Sequence, residues 1–404
     1  MSCYLSTFVI AAAAALALCG VGYYLLCLWS ARTFRRDSRR ARAQAAHYTP
    51  AVSILKPLRG ADPGVYEAFR SHCLQDYPDY ELVFGVADGN DPAIALVEQL
   101  RREFPERRIQ CVLCPAALGT NLKVSNLVQM LPYARHDYLL INDSDIRVPP
   151  DYLRQIMAPF AGPQVGMVTS LYRANTSHRL VPRLEALDIS TDFFAGVLAA
   201  RQLEGIHFAL GSTLALPRWA LNAIGGFEPL LDYLADDFEL GARVAAGGYQ
   251  VVLSDAVVET HVPDYTWHAY WDHQLRWARC KRDSRRRGYL GVALTFGLPW
   301  ALLVLALAPH AKGAWTLLAI AAALRLVMAL VVGRGILRDP KIPGDLWMLP
   351  LRDVLGLAIW AASYTGHTIA WRGDQFLLEN GKLRRATTSQ PPAPSPKPQA
   401  TSGE

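Results

Sequence analysis

Acidic residues stand at three places along this chain where their spacing could do chemistry. Asp143 and Asp145 are one residue apart in YLLINDSDIRV, directly after an apolar run that is typical of a buried parallel strand. Two carboxylates in this arrangement suit a hard divalent cation that keeps some of its waters and is shared with a diphosphate. The alternative is an acidic turn whose side chains are simply solvated.

The positions of the other acidic residues favour the first interpretation. Asp88 also ends an apolar, β-favouring run, YELVFGV, and Asp236 and Asp237 open the segment DDFELG. Two separate strands therefore direct carboxylates toward one edge of the same predicted sheet. That edge is where open α/β sheets bind their ligands. For Asp88, stabilisation of a turn before Gly89 remains the alternative.

The elements that must position these acids alternate between strands and helices. From Ala51 onward, short apolar runs such as VSIL, ELVFGV, RIQCVLC, YLLIN and VGMVTS are separated by helical stretches. This alternation predicts an α/β domain with a mostly parallel sheet and helices on both faces. A long helix is predicted from Pro182 to Gln202 and another from Asp237 to Ala246. No glycine-rich phosphate loop is present, so metal and side chains must handle any phosphates.

The N-terminal region has the composition of a membrane anchor. The chain has 404 residues, of which 51% are hydrophobic and 19% charged, and the uncharged stretch Thr7 to Trp29 is long enough to span a bilayer. A cleaved signal peptide fits less well, because no basic region precedes the apolar run. The arginines that follow, from Arg32 to Arg42, place the central domain on the cytoplasmic side. Their partner is predicted to be anionic lipid rather than nucleic acid.

The C-terminal third is apolar again. Tyr289 to Ala308 and Ala314 to Val332 each have spanning length. A third stretch, Leu346 to Trp371, carries charged residues that are costly in lipid and would export a basic segment. We therefore predict two full C-terminal spans and a third stretch that is re-entrant or lies in the interface. The residues from Ala386, rich in Pro, Ser, Thr and Gln, are predicted to be disordered.

The cysteines do not indicate a metal or redox site. There are seven, an odd number that argues against a disulfide framework in a cytoplasmic domain. Cys111 and Cys114 form a C-x-x-C, but no second Cys or His pair stands near them. Two buried thiols on a strand are the expected arrangement.

An ordered set of motifs resembles lipid-directed, family-2-like glycosyltransferases, above all the ceramide glucosyltransferase family and its bacterial relatives associated with hopanoid biosynthesis. The resemblance runs from about Val52 to Arg279 and rests on VSILKPLRGADPG, LQDYPDYELVFGVADGNDPAI, GTNLKVSNL, NDSDIRVPPDYL, GGF, LADDFELG and HQLRWAR. It implies a GT-A domain and an inverting transfer of a sugar from a nucleotide sugar to a lipid hydroxyl.

The resemblance also implies roles for the donor side of the site. Asp88 looks like the residue that contacts the nucleotide base, and Asp143 and Asp145 look like the pair that binds the diphosphate through Mg²⁺ or Mn²⁺. Lys123 in GTNLKVSNL stands where the family places a basic residue near the donor phosphates; a solvated lysine is the alternative.

On the acceptor side, Asp237 matches the general base of the family, which takes the proton of the attacking alcohol. Two acids at a helix start could instead stabilise the helix dipole. We favour catalysis for Asp237, and both roles stay open for Asp236.

In HQLRW, the arginine and tryptophan of the family motif are Arg276 and Trp277. Arg276 could neutralise the departing diphosphate, and Trp277 could give the acceptor or sugar an apolar wall. His273 replaces the glutamine or arginine that is usual at the first position. The surrounding stretch, Tyr265 to Arg282, also has the composition of a membrane-surface helix, and both roles are compatible.

The complete prediction is a multi-pass glycosyltransferase of the bacterial inner membrane. It would move a sugar, N-acetylglucosamine in the favoured version, from a UDP-sugar to a hopanoid polyol. The closest alternative is transfer of glucose to ceramide, and alternatives of other classes are a polymerising synthase and a non-catalytic scaffold. Six regions are predicted: a transmembrane helix (1–30), a basic linker (31–50), the GT-A domain (51–264), an interfacial helix (265–288), a C-terminal membrane region (289–372) and a basic, then disordered tail (373–404).

Overall fold

A computed structural model of the protein describes residues 2–44, 48–371 and 374–385. The α-helices are α1 Ser2–Gln44, α2 Val65–Cys73, α3 Ala93–Glu103, α4 Leu122–Met130, α5 Tyr152–Met157, α6 Leu180–Asp188, α7 Phe194–Glu204, α8 Arg218–Ala223, α9 Asp236–Ala246, α10 Trp267–Ser284, α11 Arg286–Leu290, α12 Gly297–Leu307, α13 Lys312–Ala329, α14 Ile342–Asp345 and α15 Leu349–Ala362. The strands are β1 Val52–Leu58, β2 Tyr80–Val86, β3 Arg108–Leu113, β4 Tyr138–Ile141, β5 Val165–Asn175, β6 Leu214–Pro217, β7 Gln250–His261, β8 Thr368–Trp371, β9 Asp374–Glu379 and β10 Lys382–Arg385.

The central sheet has seven strands in the order β3-β2-β1-β4-β6-β5-β7, and β6 is its antiparallel strand. Val52 pairs with Tyr80 on one side and with Tyr138 on the other. Every residue of β2 is buried, as expected for a strand covered on both faces. The predicted mostly parallel sheet is therefore confirmed, and the carboxyl ends of β1, β2 and β4 lie side by side.

One long helical segment crosses the domain beside this edge. The α-helices α6 and α7 are joined without a break by a π-helical turn, Ile189–Phe193. The helix predicted from Pro182 to Gln202 is thus continuous. Widened turns of this kind often occur at functional sites, and here the turn brings Asp192 beside Asp188 on a cavity wall.

Three apolar helices, α1, α12 and α13, form a bundle built on small residues. Ala17, Ala301 and Ala321 are fully buried against one another. Gly20 lies so close to Gly297 that any side chain at Gly20 would collide with the backbone of α12. Small residues allow this close approach, which supplies much of the packing energy between helices in membranes.

The first helix, α1, continues beyond the length that is needed to cross a bilayer. α1 has 43 residues, about 65 Å at 1.5 Å per residue, and its second half packs on the domain. Arg201 pairs with Asp37 at 3.1 Å, and Thr33 donates a hydrogen bond to Gln202. The arginine-rich segment predicted as a linker is therefore helical through Gln44, and its first part packs on α7.

Among the residues that the structure describes, three continuous helical stretches are long and apolar enough to cross a membrane: Tyr4–Ala41, Lys312–Ile336 and Ile342–Thr365. The stretch predicted as the first C-terminal span is instead bent by 54°, between Gly288–Thr295 and Gly297–Leu307. The bend falls where Gly297 meets Gly20 and where a proline enters the first turn of α12, a position that suits a helix start but not its interior.

Ile342–Thr365 is one helical stretch, in spite of its two prolines and its charged residues. Its charges are paired: Asp353 lies 2.8 Å from Arg325, and Arg352 forms an ion pair with Asp188. The stretch is held at both ends: Lys341, just before it, donates to the Thr176 carbonyl, and Arg282 of α10 donates to the Ser363 carbonyl.

The last described residues form a small antiparallel sheet, β8-β9-β10. Asn380 and Gly381 turn the chain with positive φ angles of 51° and 78°, the pattern of a tight hairpin. The hairpin docks on the segment before α9, where the Leu383 amide donates to the Asp232 carbonyl at 2.8 Å. The start of the region predicted as a tail is thus ordered through Arg385, and the predicted disorder from Ala386 lies outside the described residues.

Candidate active site

The D-S-D residues follow a strand end that is fixed by buried hydrogen bonds. Asn142, the last residue of YLLIN, is fully buried and donates to the Tyr152 hydroxyl at 2.8 Å and to the Ser212 carbonyl at 2.7 Å. Its amide oxygen lies 3.2 Å from Nε2 of His72. Burial, with Lys56 nearby, lowers the pKa of His72 to about 3, so the ring is neutral. This network sets the direction in which Asp143 and Asp145 leave the sheet.

A buried lysine supports the same strand end and was missed by the sequence reasoning. Lys56 on β1 is completely buried, and its Nζ donates to the Asp143 carbonyl at 3.0 Å. Desolvation lowers the pKa of Lys56 to about 7, although the Asp145 and Asp143 carboxylates oppose that shift. The available signal was one charged residue inside the otherwise apolar strand VSILKPL.

The two carboxylates of the pair have different surroundings. Asp145 accepts hydrogen bonds from the Thr260 hydroxyl at 2.5 Å and the His261 amide at 3.1 Å, both at the end of β7. Desolvation raises the pKa of Asp145 in spite of these bonds. The Asp143 side chain is 42% exposed. One carboxylate is therefore held by the protein, and the other is available to a ligand.

Lys123 connects the second and third acidic sites. Its Nζ lies 2.8 Å from Asp143 Oδ1 and 3.1 Å from Asp236 Oδ2. Burial alone would lower the pKa of Lys123, but these carboxylates outweigh burial and raise it. The side chain is only 16% exposed, so the solvated alternative does not hold. Asn121 caps α4 and donates to the Tyr233 carbonyl, which joins this helix to the segment before α9.

Asp237 faces Asp143 across a glycine. A Cβ on Gly211 would lie 3.2 Å from Asp237 Oδ2 and 3.3 Å from Asp143 Oδ2. The other oxygen of Asp237 accepts a hydrogen bond from the Phe238 amide. Burial, and next the neighbouring Asp236, raise the pKa of Asp237 to about 6. Asp236 itself is buried and points to Lys123 and Asn121, which suits a positioning role.

Asp88 is a predicted site residue that lies apart from the acids and the lysine described above. It lies at the end of β2, on the same edge of the sheet, but its side chain is exposed and accepts a hydrogen bond from the Asn90 amide at 2.9 Å. Nearby Asp91, which sequence reasoning missed, accepts from the amides of Gly60 and Ala93 and ties two loops together.

A single cavity of about 800 Å³ runs from the carboxylates toward the apolar helices. Asp143, Asp145 and Asp237 lie on its wall together with Arg276 and Trp277. Its other walls include an apolar group from the segment before α12 and from α15: Tyr289, Val292, Phe296, Ile359 and Trp360. The first residue of HQLRW, His273, has its Nδ1 3.2 Å from Glu185 Oε2 and packs on Trp277.

The donor set fits a divalent cation that is shared with a ligand. Among the described residues, no group of three or more His, Cys, Asp or Glu side chains could hold a metal ion alone. Asp143 and Asp145 offer two hard oxygen ligands, and Lys123 neutralises only one oxygen of Asp143. Mg²⁺ and similar cations commonly bind one or two carboxylates and take their remaining ligands from phosphates and water.

This sheet, with acids from a strand end and a helix start around one cavity, defines a GT-A glycosyltransferase fold. A solved structure of the same fold is the mannosyltransferase PcManGT from Pyrobaculum calidifontis in complex with GDP-Man and Mn²⁺, which is 20% identical and aligns with 86% of this chain and 97% of its own, with a TM-score of 0.54. The model of glycosyl transferase family 21 matches residues 12–384, and the chain belongs to that family.

Curated relatives cover the central part of the chain. Ceramide glucosyltransferase 3 of Caenorhabditis elegans is 24% identical over 233 residues, which are 57% of this chain and 50% of the relative. Beta-monoglucosyldiacylglycerol synthase of Synechocystis is 25% identical over 236 residues, 57% of this chain and 47% of the relative. The chain thus spans about half the length of these curated relatives.

Proposed function

We propose that the protein is an inverting glycosyltransferase that moves a sugar from a UDP-sugar to the hydroxyl of a membrane lipid. The observation that carries this proposal is the cavity, which joins the carboxylates of Asp143, Asp145 and Asp237 to apolar walls beside the helix bundle. Such a site can bind a polar sugar nucleotide near the carboxylates and a lipid along the apolar walls. Membership of family 21 supports the same reaction class.

On the donor side, Asp143 and Asp145 would hold Mg²⁺ or Mn²⁺ together with the diphosphate. When bound, the metal supplies positive charge to the leaving group. Arg276 lines the same cavity and adds a second cation for the departing diphosphate. Asp88, at the same sheet edge, is proposed to accept a hydrogen bond from the nucleotide base.

On the acceptor side, Asp237 is the proposed general base. With a pKa of about 6, its carboxylate is mostly ionised at neutral pH and still basic enough to take a proton from an alcohol as the sugar bond forms. Asp236 and Lys123 hold the helix start in place, and Trp277 provides an apolar wall next to the acids.

The finer assignment is transfer of N-acetylglucosamine to a hopanoid polyol, supported by the motifs TSLYR, LADDFELG and HQLRWAR. Transfer of glucose to ceramide is the second candidate, supported by the ceramide glucosyltransferases among the relatives. Both candidates use the same acidic residues, so the identity of the lipid must come from experiment.

We also propose that the enzyme works at the cytoplasmic face of a bacterial inner membrane. The arginines after the first apolar stretch support this orientation. Ile342–Thr365 is proposed to lie along the interface, since its start is tied to Thr176 after β5 and its end to α10, the predicted interfacial helix. Its outer face exposes Trp347, Leu351 and Val354, a helical spacing that suits contact with lipid.

The test incubates purified membranes with labelled UDP-glucose or UDP-N-acetylglucosamine in the presence of ceramide or a hopanoid polyol, and mass spectrometry identifies the lipid product. The proposal expects one glycolipid, formed by the native protein and lost in a folded Asp237→Asn variant. Asp151→Asn, a change of an exposed acid at the start of α5, is the matched control. Absence of any glycosylated lipid with all donors and acceptors would refute the proposed function.

A further inference from the structure

The buried polar atoms without a partner include a group on the cavity wall. In the described part of the chain, seven residues have buried side-chain nitrogen or oxygen atoms with no hydrogen bond, and three of them, Ser212, Gln274 and Arg352, line this cavity. Each of the three is at most 6% exposed. Because buried polar groups are almost always paired, this group indicates a polar ligand in the cavity.

Arg352 is the strongest of these donors. Its Nη2 pairs with Asp188, while its Nε and Nη1 have no partner. Gly356, one turn later on α15, leaves room for the guanidinium, since a Cβ there would collide with Nη1. Gln274 on α10 likewise has no partner for its Nε2. Donors from two helices, α10 and α15, therefore lie on the wall of one cavity.

The acids around these donors outnumber the arginines that pair with them. Arg352 pairs with Asp188, His273 with Glu185, and Arg325 with both Asp192 and Asp353. A phosphate or carboxylate bound among these pairs would be a buried charge without a counter-ion, which is strongly unfavourable. The ligand of the unpaired donors is thus an uncharged group with oxygen acceptors.

We propose that Gln274 and Arg352 form a headgroup subsite that binds an uncharged hydroxyl or amide group of the lipid acceptor, next to the hydroxyl that is glycosylated. This inference rests on the proposed function and deepens it. The lipid chain would lie along Phe296, Ile359 and Trp360, and the headgroup would extend past the subsite toward Asp237. The subsite selects neutral lipids with more than one hydrogen-bonding group over lipids with a single hydroxyl.

The experiment compares acceptors in two pairs whose members differ in this second group: a hopanoid polyol with a hopanoid carrying one hydroxyl, and ceramide with a long-chain alcohol that has one hydroxyl and no amide. Within the pair whose lipids it glycosylates, the native enzyme is expected to prefer the lipid with the second hydrogen-bonding group by about tenfold or more in kcat/KM. The reason is that unpaired buried donors reject a ligand that cannot satisfy them. Gln274→Met removes one donor without breaking a bond, and we expect it to reduce the preference and raise the acceptor KM.

Arg352→Lys keeps the charge beside Asp188 but removes the guanidinium fork, and it serves as the second variant. Gln99→Met, at an exposed position on α3, is the matched control. Hydrolysis of the UDP-sugar without acceptor reports an intact donor site and should be unchanged in all three variants. A native enzyme without preference, or folded Gln274→Met and Arg352→Lys enzymes with the native preference, would overturn the subsite and leave the proposed function standing. No lipid product at all would instead refute the proposed function.

Discussion

At the scale of single residues, one lysine sets the relation between the metal-binding pair and the proposed base. Lys123 forms ion pairs with Asp143 and Asp236, so its single positive charge is shared between these two carboxylates, and Asp237 has no ion pair with it. Burial and the neighbouring Asp236 raise the pKa of Asp237 more than the nearby Lys123 lowers it. A carboxylate left basic in this way is suited to proton transfer near neutral pH.

Asp237→Asn should reduce turnover by roughly 10²-fold or more, the usual scale of a general base, while UDP-sugar affinity is retained. A base must be unprotonated to act, so native turnover should rise with pH through about 6 and level off above it. The variant should lack that rise. The measurements are a pH profile of turnover and a donor-binding titration. Near-native turnover of the folded variant would end the base assignment and direct attention to Asp236.

Activity should also depend on a divalent cation. Asp143→Asn and Asp145→Asn each remove a hard oxygen ligand, so turnover should fall sharply and the metal concentration for half-maximal activity should rise. Turnover measured during titration of Mg²⁺ or Mn²⁺ into chelated enzyme checks this, with Asp151→Asn as the control. Full turnover of both variants in excess chelator would contradict the metal assignment.

The sequence was sufficient to place the acids but not the residues that support them. Asp143, Asp145 and Asp237 follow from apolar runs and a helix start, which are local patterns. Lys56 and Asn142 act through contacts between strands far apart in the chain, and no local pattern gives such contacts. For the same reason, the link between Lys123 and Asp236 could not be predicted.

At the scale of elements, the bundle depends on the contact between α1 and α12. Gly20 and Gly297 meet backbone to backbone, whereas Gly22, two residues on, has nothing within 4 Å of the position of a Cβ. The two glycines have the same helix propensity, so they separate the effect of packing from the effect of composition. They provide a matched pair of sites in one helix.

Gly20→Leu should destabilise the protein by about 2 kcal/mol or more, because the added side chain overpacks a contact between two backbones. Gly22→Leu should leave stability nearly unchanged. Thermal unfolding of both variants in the same detergent is the measurement. Equal unfolding midpoints would show that this contact contributes little.

The topology of the C-terminal region gives a further prediction. A reporter after Arg42 should be cytoplasmic, and so should one after Arg385, since Ile342–Thr365 is proposed to lie in the interface. A reporter at His310, between α12 and α13, should be periplasmic. A periplasmic signal after Arg385 would mean that Ile342–Thr365 crosses the bilayer.

Among the elements, sequence periodicity predicted the α/β core well and the membrane region less well. The strands and helices from Val52 to Asn175 lie where apolar runs and helical stretches predicted them. The bend before α12 and the docked hairpin β9-β10 depend on close contacts with Gly20 and with the segment before α9. Hydrophobicity alone could not distinguish a straight helix from a bent one, or a docked strand from a free tail.

At the scale of the whole molecule, buried ion pairs join the membrane region to the α/β domain. Arg325 on α13 and Arg352 on α15 both reach acids of the α6–α7 segment. Removing one partner of such a pair leaves a buried charge and is strongly unfavourable. The domain and the bundle are therefore expected to unfold together rather than as separate units.

α1 is one continuous helix that packs both in the bundle and on α7. It therefore fixes the distance, or height, of the cavity above the hydrocarbon core of the bilayer. The protein cannot adjust that height by bending a linker, so a bilayer of unsuitable thickness must deform or leave the acceptor misplaced. Turnover in vesicles of graded acyl-chain length should consequently pass through an optimum, while hydrolysis of the donor alone should stay flat. A rate of lipid glycosylation that is independent of acyl-chain length would show that α1 does not fix the distance between the cavity and the bilayer.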